Sequence, residues 1–257
     1  EKTMIEQFLK NFCINSKTNI IDIGCSGDKV TEVIKEDGIY YIKESARGKL
    51  DKEYFIYNYL KDTLPVPKVL FFLTDETKSV LITKKLEGEM ICCDEIFDDM
   101  HHVIELAAKS LKILQSVDIT GFPIYNSLSQ KLALAKSNIE KKLVLTSDMN
   151  DNNQKRFKII ENAYKYLEEN KIEEELCFSH GDLSIPNIFF KNDNISGFLD
   201  MGDAGVADKW YDIAILVKSL RRNYETKDAE EYLFKCLNLK PDYKKIEYYI
   251  LLTELFL

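Results

Sequence analysis

The apolar residues of this chain change their spacing about a third of the way along, and that change excludes most architectures. Short β-rich runs at 20–23, 30–34 and 39–42 are separated by Gly24-Cys25-Ser26-Gly27-Asp28 and Glu36-Asp37-Gly38. Both separators carry turn chemistry, so three antiparallel strands joined by hairpins are expected. A helix over 50–61 follows, stopped by Leu64-Pro65-Val66-Pro67, and then two more strands at 68–73 and 79–86. From about Cys93 the repeat becomes helical: Val103, Leu106, Ala107, Leu111 and Leu114 share one face, as do Leu128, Leu132, Ala135, Ile139 and Leu143. Phe157, Ile160, Tyr164 and Leu167 suggest a third amphipathic helix, and two more are expected around 213–220 and 246–257. Strands followed by helices, without βαβ alternation, specify an α+β chain. The expected organisation is a small lobe, residues 1–86, with a five-stranded sheet and one helix, and a larger mainly helical lobe, residues 87–257.

One segment breaks the helical pattern, and it carries the chemistry. Ser179-His180-Gly181-Asp182-Leu183-Ser184-Ile185-Pro186-Asn187 is followed by Gly197-Phe198-Leu199-Asp200. Between them, short apolar runs at 188–190 and 195–199 flank the turn residues Lys191-Asn192-Asp193-Asn194. A lone Gly-Asp is ordinary turn chemistry. An Asp with an Asn five residues on and a second Asp ending the next strand is the spacing of a kinase catalytic loop and its metal-binding Asp. Phosphoryl transfer from a magnesium nucleotide uses one carboxylate to orient the attacking hydroxyl and an Asn and an Asp to hold the metal. Asp182 is therefore the candidate catalytic residue, and Asn187 and Asp200 are the candidate Mg²⁺ ligands. Two oxygen donors leave room for phosphate and water, which suits an ion that dehydrates reluctantly. His180 is expected to support the loop backbone, and Asp212, inside an apolar helix, to brace the loop by accepting hydrogen bonds. His101 and His102 fall at a helix start and are expected to face solvent.

The nucleotide half belongs in the small lobe. In Ile39-Tyr40-Tyr41-Ile42-Lys43, strand alternation puts Tyr41 and Lys43 on one face about 7 Å apart. An aromatic ring and an ammonium so placed suit adenine stacking and phosphate neutralisation. A carboxylate from the following helix should tether Lys43; Glu53 is the first choice, with Glu44 and Asp51 as alternatives. The turn containing Ser26 and Gly27 permits close backbone approach to phosphate. It is not a Walker loop, because no G-K-[ST] follows.

Composition narrows the partners. With 43 acidic against 35 basic residues, the net charge of −8 argues against nucleic acid, whose phosphates demand basic surface. It is compatible with a cationic substrate, which an acidic cleft concentrates. No run approaches the roughly 20 apolar residues of a membrane span, and no signal peptide is evident. The six cysteines include no C-x-x-C pair, so reduced thiols in a cytoplasmic protein are expected. The expected state is a monomer or weak dimer.

The segment from Phe178 to Asp212 closely resembles the bacterial aminoglycoside 3′-phosphotransferases. Leu64-Pro65-Val66-Pro67-Lys68-Val69-Leu70 and the ending Tyr248-Tyr249-Ile250-Leu251-Leu252-Thr253-Glu254-Leu255-Phe256 look like the same family. The resemblance implies a protein-kinase-like two-lobed fold that binds ATP and magnesium. It places the catalytic role on Asp182, the metal on Asn187 and Asp200, phosphate on Lys43 with its partner Glu53, and adenine stacking on Tyr41. It places the phosphate loop at Ser26 and Gly27, and an adenine-edge contact on the backbone from Lys84 to Leu86. Asp148, Asp151, Glu254 and Phe256 become candidate aminoglycoside contacts. The chain departs from the family at Asp203, where Arg is usual after D-x-G, at Arg222, where one member type is acidic, and at Thr253, where Asp is usual. These departures spare the transfer machinery and point to a narrowed or shifted acceptor range. The expected activity is ATP- and Mg²⁺-dependent phosphorylation of an aminoglycoside hydroxyl, at the 3′ position, conferring resistance. The alternatives are a kinase of the same fold for a macrolide, choline-like or sugar acceptor, and a silent nucleotide-binding module.

Overall fold

The computed structural model describes residues 3–21 and 28–256. The chain forms two compact units, 1–88 with 196–202, and 89–195 with 203–257.

The first unit begins with a helix, α1 (Met4–Phe12), which the strand-dominated reading of the sequence did not anticipate. A capping-box signal starts it: Thr3 accepts from the Glu6 amide at 3.2 Å, and Glu6 accepts from the Thr3 amide at 3.0 Å. The strands are β1 (Lys17–Ile21), β2 (Lys29–Lys35), β3 (Gly38–Ala46), β4 (Val69–Thr74) and β5 (Lys78–Lys84), with α2 (Asp51–Leu60) between β3 and β4. They form one antiparallel sheet in the order β1-β2-β3-β5-β4. One face of the sheet is apolar. Val33, Tyr40, Ile42, Val80 and Ile82 are buried there with Ile5 of α1, and Phe8, Leu9 and Phe12 pack against them. Among its described residues the first unit thus has two helices where one was expected. Covering this face with α1 turns the alternate residues of β3, Tyr41 and Lys43, to the other.

The second unit contains β6 (Glu89–Met90), α3 (Asp94–Phe97), α4 (Met100–Gln115), α5 (Leu128–Glu140), α6 (Asp151–Phe157) and α7 (Ile160–Glu169). Then come β7 (Leu176–Ser179), β8 (Ile188–Lys191), β9 (Asn194–Phe198), β10 (Gly205–Asp208), α8 (Lys209–Asn223), α9 (Lys227–Leu237) and α10 (Tyr243–Thr253), with β9 running on into the residues assigned to the first unit. Strand β10 pairs with β7, and β8 lies between β6 and β9. The two residues joining β8 and β9, Asn192 and Asp193, both have positive φ, 49° and 60°. That is the backbone of a two-residue hairpin turn, and Asn and Asp tolerate it best after glycine.

The single amphipathic helix expected around Phe157–Leu167 is broken in two. Lys158 adopts φ 68°, and the Ile160 amide turns to the Thr146 hydroxyl at 3.1 Å instead of continuing a helical ladder. Helix α8 is buried along most of its length. Its N-cap Asp208 accepts from the Trp210 amide at 3.2 Å, the Glu175 amide at 3.2 Å and the Tyr249 hydroxyl at 2.7 Å. These bonds fix the start of α8 against the end of β10, and so fix everything that α8 carries toward β7.

Beside that N-cap, Glu175 pairs with Lys209 and with Lys245 at 3.1 Å, and accepts from the Trp210 indole at 3.1 Å. Its bonds to Lys209 and Lys245 hold its pKa down at about 2. A depressed carboxyl stabilises the fold above its unfolded pKa and loses that contribution as pH falls through the folded value. Thermal stability should therefore fall between about pH 4.5 and pH 2. Glu175→Gln should flatten that acid limb in a Tm-against-pH series while leaving the shape near neutrality unchanged.

Candidate active site

In the first unit, the register pairs Val30 with Lys43, Lys43 with Leu81, and Tyr41 with Thr83, so these residues share the face away from α1. The Lys43 ammonium bonds Glu53 Oε2 at 2.9 Å and Asp200 Oδ1 at 3.2 Å. Glu53 of α2 is buried, and its other oxygen accepts from the Tyr57 hydroxyl at 3.0 Å. Tyr57 lies one helical turn on, which is how α2 orients the carboxylate. Burial pushes the Lys43 pKa down, but the Glu53 and Asp200 carboxylates push it up further, and it lies well above the ordinary lysine value. Burial alone would drive the Glu53 carboxyl up; Lys43 and Tyr57 oppose this, and the 2.9 Å contact favours the ionised pair. Glu44, the alternative tether, instead bonds Lys29 and Lys78, each at 3.0 Å.

Asp200 sits at φ 54°, unusual for a residue with a side chain. The buried Met201 follows it, whereas the Asp200 side chain is half exposed. The Tyr41 hydroxyl donates to Glu32 Oε2 at 3.2 Å. Lys84 ends β5, its amide bonded to Lys68 O at 2.9 Å, and Leu86 is buried so close to Gly197 that a Cβ there would lie 2.5 Å from its methyls. Ser26 and Gly27 lie outside the described residues.

The second unit builds the loop after β7. Asp212, buried in α8, accepts from the Ser179 hydroxyl at 2.9 Å, the His180 amide at 2.7 Å and the Gly181 amide at 3.0 Å. Gly181 has φ +87°, and a Cβ there would stand 2.2 Å from the backbone oxygen of Asp203, so only glycine fits. The Asp182 amide then donates to His180 Nδ1 at 3.2 Å, so Nδ1 is the accepting nitrogen of the ring. The anchored backbone delivers Asp182 to the surface. Five residues on, Asn187 Nδ2 donates to Asp182 O at 2.9 Å and Asp182 Oδ2 at 3.1 Å. With its amide hydrogens committed, the oxygen Oδ1 is the Asn187 atom suited to a cation.

The proposed acceptor residues are less uniform. Glu254 is buried and bonded by Asn150, and by Asn153 Nδ2 at 2.9 Å. Asp148 accepts from the Leu145 amide at 2.7 Å, closing its own short turn, and Asp151 opens α6 in solvent. Phe256 is half-buried. Thr253 Oγ1 accepts from Lys218 Nζ at 3.0 Å and donates to Ile250 O at 2.7 Å. Burial holds the Lys218 ammonium below its ordinary pKa, against the carboxylates of Glu254 and Asp182. Asn150, Asn153 and Lys218 were not singled out from the sequence. The i, i+3 spacing of the two amides was a readable signal, whereas the pairing of Lys218 with Thr253 was not.

Each proposed donor, taken by itself, suits magnesium: Asn187 offers an amide oxygen and Asp200 a carboxylate, both hard oxygen donors. Among the described residues no cluster of three or more His, Cys, Asp or Glu suggests a different metal.

Comparison with known proteins converges on one family. The model of the phosphotransferase enzyme family matches residues 32–249. The chain is 38% identical over 241 residues to an aminoglycoside 3′-phosphotransferase of Enterococcus faecalis, spanning 91% of each. It is 36% identical over 240 residues to one of Staphylococcus aureus, again spanning 91% of each. Among solved structures, an aminoglycoside-3′-phosphotransferase of type VIII superposes with a TM-score of 0.85 at 20% identity, over 98% of this chain and 97% of that one. An aminoglycoside phosphotransferase of Streptomyces rimosus, solved with ADP and streptomycin, superposes at 0.75 and 20% identity over 99% of both chains. At that identity the structures establish the kinase-like fold, and the two sequence relatives with the family match establish the rest: the chain belongs to the aminoglycoside 3′-phosphotransferases, within the phosphotransferase enzyme family.

Proposed function

We propose that this protein transfers the γ-phosphoryl group of ATP to a hydroxyl of an aminoglycoside, at the 3′ position, and so confers resistance. The observation that carries the reading is the Asp182 loop: a surface carboxylate on a backbone locked by Asp212 and Gly181, with Asn187 bonded to it. In this mechanism Asp182 orients the acceptor hydroxyl and takes its proton as the oxygen attacks the γ-phosphorus. ADP leaves as the P–O bond to the β-phosphate breaks. Lys43, held by Glu53, neutralises phosphate charge. Tyr41 stacks on adenine, the 84–86 backbone meets its edge, and Ser26 and Gly27 approach the phosphates. Asn187 and Asp200 are the proposed magnesium ligands, and the ion, when bound, would neutralise charge on the phosphate oxygens. Such catalysis is chiefly positioning and electrostatics. In domain terms, 1–86 is the proposed nucleotide-binding lobe and 87–257 the catalytic and acceptor-binding lobe. The proposed location is the cytoplasm, as a monomer or weak dimer; among the described residues no helix is long and apolar enough to cross a membrane.

A panel of aminoglycosides, a macrolide and choline in an ATP-consumption assay tests the acceptor. Turnover with one or more aminoglycosides is expected; turnover with choline or the macrolide and with no aminoglycoside would refute the reading. Thr253 provides a finer test. Its hydroxyl is a neutral partner for the Lys218 ammonium, so Thr253 itself offers no charge to an acceptor ammonium. Thr253→Asp should lower KM for the most amine-rich aminoglycosides by about two- to five-fold, the scale of a partly exposed ion pair, with little change in KM for ATP.

A further inference from the structure

Lys43 meets a third carboxylate besides Glu53 and Asp200: Asp28 Oδ2 lies 3.8 Å from its ammonium. The sheet register explains the approach. Lys29 pairs with Glu44 and Val30 with Lys43, so alternation at the start of β2 sends Lys29 toward Glu44 and the neighbouring Asp28 to the Lys43 face. The Asp28 side chain is only 11% exposed, and that of Lys43 only 20%. Two of the three carboxylates have other tasks. Glu53 is fixed by Tyr57, and Asp200 is the proposed metal ligand. Asp28 has an ion-pair distance to Lys43 but no hydrogen bond to it, a contact that an incoming group can replace.

One ammonium facing three carboxylates leaves a formal local charge of −2, which opposes a polyphosphate. We propose that Asp28 is an internal competitor of the nucleotide phosphates for Lys43, which must be displaced on loading and which makes nucleotide affinity depend on a divalent cation. The proposal rests on the nucleotide-binding role given to Lys43 above. Removing the Asp28 charge removes both a repulsion and a rival. The gain should be largest for metal-free nucleotide, whose charge is not offset.

Calorimetric binding of ADP, without acceptor, to wild type, Asp28→Asn and Asp28→Ala tests this in the presence of Mg²⁺ and again in EDTA. Both variants should bind ADP about 5- to 10-fold more tightly in EDTA and less than that with Mg²⁺, as expected for removal of one partly buried like charge. The gain should shrink in a Lys43→Ala background, where only the repulsion remains and there is no ammonium to compete for. Unchanged or weaker ADP binding by both variants, with wild type binding normally, would overturn the proposal alone, and weaker binding confined to Mg²⁺ would mark Asp28 as a metal-holding group instead. Wild-type protein that binds no ADP under either condition would overturn it together with the nucleotide reading.

Discussion

Asp182→Asn should lower kcat by about 10²–10⁴-fold, the usual contribution of a positioned general base. The loop geometry makes this a test of chemistry rather than of folding. Asp182 is exposed, and three bonds hold its backbone: its amide donates to His180 Nδ1, and its carbonyl oxygen accepts from Asn187 Nδ2 and the Ser184 amide. An amide of the same shape preserves all three. The side-chain bond from Asn187 also survives, because the new carbonyl oxygen accepts it. Tm and ADP affinity should therefore stay near wild type while turnover collapses. A variant that kept full turnover would remove Asp182 from the mechanism.

Asp212→Ala should produce the largest loss of stability. The substitution strips three donors of one acceptor: the Ser179 hydroxyl and the His180 and Gly181 amides, all buried. A buried group left unpaired costs about 1–3 kcal/mol, and relaxation of the loop makes the sum less than additive. A total of about 3–5 kcal/mol is expected, read as a lower urea midpoint with an unchanged slope. Asp212→Asn should recover only part of it, since its NH₂ would face a donor. Activity should fall in both, because the same bonds aim Asp182.

The proposed reacting centre is readable in the sequence because its logic is local. Asp182, Asn187 and Asp200 lie within one stretch of 19 residues, and loop-and-hairpin geometry follows from their spacing. The same holds for Lys43 and Glu53, where strand alternation and the first turn of α2 bring the pair to 2.9 Å. Local signals were also missed. Thr3-Met4-Ile5-Glu6 is a capping box, yet the strand-rich stretch behind it concealed α1. The α6–α7 break depends on Lys158 adopting φ 68°, which no residue type at that position announces. Contacts between distant residues were the least readable. Lys218 and Thr253 are 35 residues apart, and Glu254 and Asn150 are 104 apart. Only packing of α8, α10 and the segment before α6 brings them together. The proposed acceptor residues sit largely in such contacts, so the proposed transfer residues are legible in the sequence where the acceptor surroundings are not.

Phosphoryl transfer to one defined hydroxyl can be checked with a matched pair of acceptors. Purified protein with ATP and Mg²⁺ should convert a 3′-hydroxyl aminoglycoside to a product heavier by one phosphoryl group, in step with ADP release, and should leave its 3′-deoxy counterpart unmodified in the same mass spectrum. Equal phosphorylation of both compounds, or none of the first, would contradict it.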